Sequence, residues 1–213
     1  MPAHHLVALT LALGWLAAVL SCFISTPQLV RMMRSGSVAG VSRLSWQLTL
    51  GGNLTWGLYG LRHGNPNQWL PNVLLIGCTL VILSLFHKHV GTSWLVLVAP
   101  GLVIGLTTVG LDASFGAVAF SVAAFLPSAV SQASQAWSTA TSDDVTGISM
   151  TNQVLGLVNQ SLWLVWALLI GESSVLMVGS AALALLLMNF ALTSLRKSGR
   201  MGAVELPLAV RLG

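Results

Sequence analysis

Trp56 and Trp163 stand 107 positions apart, each inside a long apolar run. At the same offset Asn53 pairs with Gln160, Tyr59 with Trp166 and Gly64 with Gly171. An indole offers a flat apolar face and one donor N–H. A carboxamide offers donors and an acceptor on one uncharged group. Together they describe a neutral binding site: two indoles that can sandwich a ring by its C–H faces, with Asn72, Asn53, Gln160 and Asn159 to meet hydroxyls at its rim. Carboxamides in apolar helices turn toward a partner or a cavity, because hydrocarbon offers them no hydrogen bonds. The residue types alone leave Asn72 open between solute contact and helix glue. Asn189 has no counterpart at this offset and reads as glue. Trp69 and Trp94 lie near run ends and read as interfacial anchors.

Other chemistry is not expected. No paired acid and base, nucleophile triad or phosphate-cradling loop stands out, so neither an enzyme nor a cofactor is expected. The acids Asp112, Asp143, Asp144, Glu172 and Glu205 map to run ends, connections or the tail. Buried carboxylates mark proton relays in coupled transporters, so their absence from mid-run predicts movement of a solute down its gradient. Asp112 is the exception to watch, since a boundary error of a few residues would bury it. His87 and His89 flank Lys88 with no further ligand types nearby, and no metal site is expected.

These residues need elements to hold them. The 213-residue chain is 55% hydrophobic and 7% charged, whereas soluble domains carry about 25% charged residues. Such a chain belongs in lipid, where a helix crosses with roughly 20 apolar residues. Seven runs qualify, near Leu6–Met33, Leu44–Leu61, Trp69–Phe86, Ser93–Val109, Ser114–Trp137, Thr151–Ile170 and Ser174–Leu195. They are continuous rather than alternating, which argues for helices and against a barrel. With seven spans, eight of the nine basic residues fall on one side and only Arg62 on the other. Basic residues favour the cytoplasmic side, so the N-terminus is expected outside and the C-terminus in the cytoplasm, in a multi-pass protein of the plasma membrane. The net charge of +4 is then a topology signal, and no nucleic-acid partner is implied. Cys22 and Cys78 sit within runs and read as packing thiols. "VLSC" at Cys22 has the look of a lipoprotein cleavage box, but no basic segment precedes it and six runs follow, so a cleaved leader is not expected.

The runs repeat. "VAGVS" at Val38–Ser42 returns as "VTGIS" at Val145–Ser149, and Pro27 is matched by Pro127 at an offset of 100. Each half reads as span, kink, loop, span, short turn, span, and the fourth run has no counterpart. It restores direction between the halves, so an all-α membrane protein of two parallel three-helix bundles joined by a linker helix (3+1+3) is expected. The bundles would span 1–92 and 113–199, with a linker helix at 93–112 and a cytoplasmic tail at 200–213. Proline removes a helical hydrogen bond and clashes with the preceding turn. Pro27, with the Gln28 amide beside it, and Pro127 are therefore candidate hinges.

Pro27–Gln28, "SVAGVS" at Ser37–Ser42, "TWGLYG" at Thr55–Gly60 and "LPN" at Leu70–Asn72 together resemble the PQ-loop superfamily. With the 3+1+3 pattern the chain resembles a SWEET-type sugar transporter, a parallel-repeat architecture. The resemblance implies alternating access for small neutral solutes, mono- or disaccharides, hinged at the prolines. The second half departs from the pattern: "LPS" at Leu126–Ser128 replaces Pro-Gln, and "MVGS" at Met177–Ser180 stands where a second Pro-Asn would be. An asymmetric pocket is expected, with a specificity removed from the usual sugar pattern. Rival readings are a proton-linked transporter of amino acids or similar solutes and, lower, a peptide-binding receptor on the same scaffold. Besides lipid, no partner is required: seven spans already hold both halves of a pathway, which leaves a homo-oligomer open.

Overall fold

A computed structural model describes residues 3–35, 42–146 and 148–204; within the first segment the side chains of residues 3, 25–29, 31–33 and 35 lie outside the description. Among the described residues seven helices follow one another: α1 (Ala3–Ser35), α2 (Arg43–Arg62), α3 (Pro66–Val90), α4 (Trp94–Phe115), α5 (Ala117–Thr141), α6 (Met150–Ile170) and α7 (Ser173–Lys197). All seven expected spans are present as helices, extended by a few residues at most ends. Six are long and apolar enough to cross a membrane, and the chain is an all-α, multi-pass membrane protein. The exception is α2. It carries Gln47, Asn53, Thr55 and the four glycines Gly51, Gly52, Gly57 and Gly60 among its buried or half-buried positions, because α3 and α4 pack along its flanks and shield it from lipid.

The repeated serines have a local purpose. Ser42 and Ser149 close the "VxGxS" motifs, and each caps the helix that follows: the Ser42 hydroxyl accepts from the Ser45 N–H at 3.2 Å and Ser149 from that of Asn152 at 3.2 Å. A helix start leaves its first N–H groups without partners, and a serine oxygen supplies one. The rest of the first motif (residues 38–41) and Gly147 of the second lie outside the described residues. The paired glycines work at the opposite ends of the same helices. Gly64 (φ 69°) and Gly171 (φ 71°) turn the chain from α2 into α3 and from α6 into α7 through the left-handed region, which a side chain would disfavour.

Packing follows the repeat. In the first half α3 lies against α1 and α2; in the second, α7 lies against α5 and α6. The linker α4 is bound to the first half along its length. Gly101 and Gly105 meet Leu50 and Leu54 so closely that an added Cβ would stand 2.8 and 2.6 Å from those side chains. Gln47 Nε2 donates to the Val96 carbonyl at 2.6 Å, and Arg62 Nε pairs with Asp112 at 3.1 Å at the other end. In the second half Asn189 joins α7 to α5, its Nδ2 donating to the Gln132 carbonyl at 3.0 Å and to Gln132 Oε1 at 2.8 Å. The glue assigned to Asn189 is thus a bond between helices. The halves meet through α1 on α6 and α5 against α4 and α2.

Candidate functional site

A cavity of about 350 Å³ lies between the halves, at the small end of the range for ligand pockets. Its walls come from α1, α2, α3, α5, α6 and α7, and α4 contributes none of its lining. The lining keeps the repeat offset. Asn53 and Trp56 of α2 match Gln160 and Trp163 of α6, and Gln68, Pro71, Asn72 and Leu75 of α3 match Val175, Val178, Gly179 and Ala182 of α7, all 107 positions on. Residues at equal depth on like-oriented helices are thus brought to one chamber. All six candidate solute contacts, Trp56, Trp163, Asn72, Asn53, Gln160 and Asn159, line it, and among the described residues none of its lining is ionisable.

Hydrogen bonds divide these six into different roles. Asn159 Nδ2 and Trp163 Nε1 both donate to the Ser21 hydroxyl of α1, at 3.0 and 3.2 Å. The one polar atom of Trp163 is therefore engaged by the protein, and its ring face is what it can offer a solute. Asn53 Nδ2 points to Thr79 Oγ1 at 3.4 Å, and Asn72 Nδ2 donates to the Gln68 carbonyl at 2.7 Å. With one N–H of each held, both asparagines keep a carbonyl oxygen, which suits the O–H donors of a polyol, and a second N–H. Ser21 was not singled out from the sequence. It bonds the Ala17 carbonyl at 2.9 Å one turn back, the ordinary local habit of serine in a helix, and only tertiary contact reveals its second role.

Prolines stand at the same level. Pro127 lies inside α5 between the lining residues Ala124 and Ser128, where its missing N–H leaves the Ala123 carbonyl without a helical partner. Pro71 does the same inside α3 and itself lines the cavity. Pro27 and Gln28 fall within α1, but their side chains lie outside the described residues.

Beyond the cavity the two halves are joined at one end. Where α2 turns into α3 and α6 into α7, Tyr59 is buried against Phe120 of α5, ring centroids 4.1 Å apart, and its hydroxyl donates to Glu172 Oε1 at 2.5 Å. Its counterpart Trp166 packs on α1, where a Cβ added at Gly14 would stand 2.7 Å from the indole nitrogen. Each half thus sends one aromatic residue into the other. Among the described residues, every side-chain hydrogen bond between α1–α3 and α5–α7 lies at cavity level or at this end. Asp112 sits near this end too. It is buried in the last turn of α4, a run end as expected, and is held by Arg62 and by His63 Nε2 at 3.1 Å.

Fold and cavity together define a multi-pass helical membrane protein with a neutral chamber between two like halves. Residues 9–69 match the family model of the PQ loop repeat. The match covers most of α1, all of α2 and the start of α3, and it supports the PQ-loop superfamily. The comparison with curated proteins yields no match.

Proposed function

We propose that the protein is a facilitative transporter of small neutral solutes, with mono- and disaccharides as the leading class, that opens its chamber to the two sides of the membrane in turn. The carrying observation is the chamber itself: six helices of two matching halves line it, with two tryptophans, five carboxamides and, among the described residues, no ionisable group. A chamber without charge offers nothing to neutralise an ammonium or carboxylate, and burying an unpaired charge is costly. Indole faces with carbonyl acceptors fit a hydroxylated ring. Closure at one end by Tyr59–Glu172 and Trp166 is one state of such a cycle, and the mid-helix prolines give the halves points about which to move. The orientation inferred from the basic residues places the closed end outside and the C-terminus in the cytoplasm. The 3+1+3 boundaries given above are the corresponding moving bodies, with α4 travelling with the first.

The test is equilibration of labelled mono- and disaccharides in proteoliposomes without a pH gradient. Flux that Trp56→Ala or Trp163→Ala cuts by more than about tenfold supports the reading, since each substitution removes a stacking face. No flux of any such solute, or unchanged flux in both variants, sinks it. The burial of Asp112 favours one rival, a proton-coupled transporter of amino acids or similar solutes. Its carboxylate is paired with Arg62 and does not line the chamber, so facilitated flux should persist in Asp112→Asn and show no demand for a pH gradient.

A further inference from the structure

The two halves differ at one place in the chamber, and the difference is internally compensated. In the first half position 57 is glycine and position 72 is asparagine; a Cβ built on Gly57 would stand 3.2 Å from Asn72 Cβ. The counterparts 107 residues on are Leu164 and Gly179, so the large and small residues have changed helices. The exchange is tight: a Cβ built on Gly179 would stand 3.0 Å from Leu164 Cδ2 and 2.9 Å from Gln160 Nε2. Gln160 is itself one methylene longer than its counterpart Asn53, and its amide reaches across the bare backbone of α7. The second carboxamide of a symmetric pair is thus supplied from α6 instead of α7. What remains of the α7 wall is Val175, Val178, Gly179 and Ala182, opposite Gln68, Pro71, Asn72 and Leu75 on α3.

We propose that Gln160, Leu164 and Gly179 form one specificity-determining unit, and that the apolar α7 wall it leaves receives the deoxygenated flank of an amphipathic sugar while α3 holds the hydroxylated flank. The physical reason is the cost of an unmet hydroxyl. Against Asn72 a hydroxyl finds an acceptor; on the α7 side the Gln160 amide covers Gly179, and a hydroxyl set against Val175, Val178 or Ala182 finds no partner on α7 itself; sites discriminate strongly when a polar group is left unpaired. A methyl or methylene there makes ordinary apolar contact. The assignment of sugar flanks rests on the transport reading above, whereas the three-residue packing unit does not.

Two measurements separate them. The first is thermal unfolding of the purified full-length protein. Gly179→Asn alone drives a side chain into Leu164 and Gln160 and should lower the midpoint by about 3–10 °C; Leu164→Gly alone should lower it through lost packing; the triple variant Q160N/L164G/G179N should regain most of the loss. Losses that simply add would overturn the packing unit. The second is flux in proteoliposomes of three matched pairs: D-galactose and D-fucose, L-mannose and L-rhamnose, D-glucose and 2-deoxy-D-glucose. In the native protein at least one deoxy sugar should outrun its parent by about tenfold, and in the triple variant that ratio should fall to within about twofold. Equal flux within every pair, or a ratio the triple variant leaves intact, overturns the selectivity. No flux of any of the six sugars sinks the transport reading and the flank assignment with it, while the unfolding cycle still decides the packing unit.

Discussion

Tyr59→Phe should loosen the closed end without disturbing the packing around it. The phenylalanine keeps the ring that stacks on Phe120 and on His63, with centroids 4.1 Å away in each case. Only the hydroxyl that donates to Glu172 at 2.5 Å is lost. A hydrogen bond to a charged group contributes about 1.5–3 kcal/mol. Glu172 is half-buried, so water takes over part of the tyrosine's role and the lower part of that range applies. Because the bond joins α2 to the turn between α6 and α7, it exists only while the two halves are together at this end. Its loss therefore favours the opened state over the closed one, by roughly 10- to 30-fold at 1.36 kcal/mol per decade. The assay is labelling by a membrane-impermeant maleimide of a cysteine placed at Val175, which lines the chamber close to this end, in a background with Cys22 and Cys78 replaced by alanine. The labelling rate from the Tyr59 side should rise by that factor. Glu172→Gln keeps an acceptor but loses the charge, so its rise should be smaller, and the double variant should match Tyr59→Phe alone because both changes act through the same bond. Labelling unchanged within twofold in Tyr59→Phe, or effects that multiply in the double variant, would refute the latch.

Ser21→Ala should raise KM for the transported solute by about tenfold with little loss of thermal stability, since Asn159 and Trp163 lose their shared anchor while water in the chamber can still satisfy them; saturation curves in proteoliposomes check it. Gly105→Val should cost about 1–3 kcal/mol of stability, because the new Cβ would stand 2.6 Å from Leu54 Cβ where α4 rides on α2; an unfolding midpoint equal to the native one would show that α4 is not fixed there. Asn189→Leu should cost about 1–3 kcal/mol by leaving the Gln132 acceptors unmet, with KM unchanged, since the bond lies outside the chamber lining.

How much of this is legible in the sequence depends on whether a feature is carried by position or by contact. A shared offset of 107 carries position: it tells that Trp56 and Trp163, or Asn53 and Gln160, lie at like depth on like faces, and the chamber gathers them. It cannot tell which atom each offers. The indole N–H of Trp163 reads as a donor for a solute until Ser21 is seen to occupy it, and Ser21 itself reads as an ordinary helix serine. Gly179 reads as a missing asparagine until Leu164 is seen to fill its place. Asp112 reads as a run-end acid, and so it is, yet α4 turns it inward onto Arg62. The case of α2 generalises these. Hydropathy measures how well a helix tolerates lipid, and α2 meets little of it because α3 and α4 lie along its flanks. A helix so shielded is free to carry Asn53, Thr55, Trp56 and Tyr59, and for the same reason it is the one helix whose composition falls short of a spanning segment. The weakest membrane signal in the chain and the chamber and latch residues Asn53, Trp56 and Tyr59 therefore share one cause. Within a multi-pass protein of this kind, a segment that composition ranks last is still a place to look for the site.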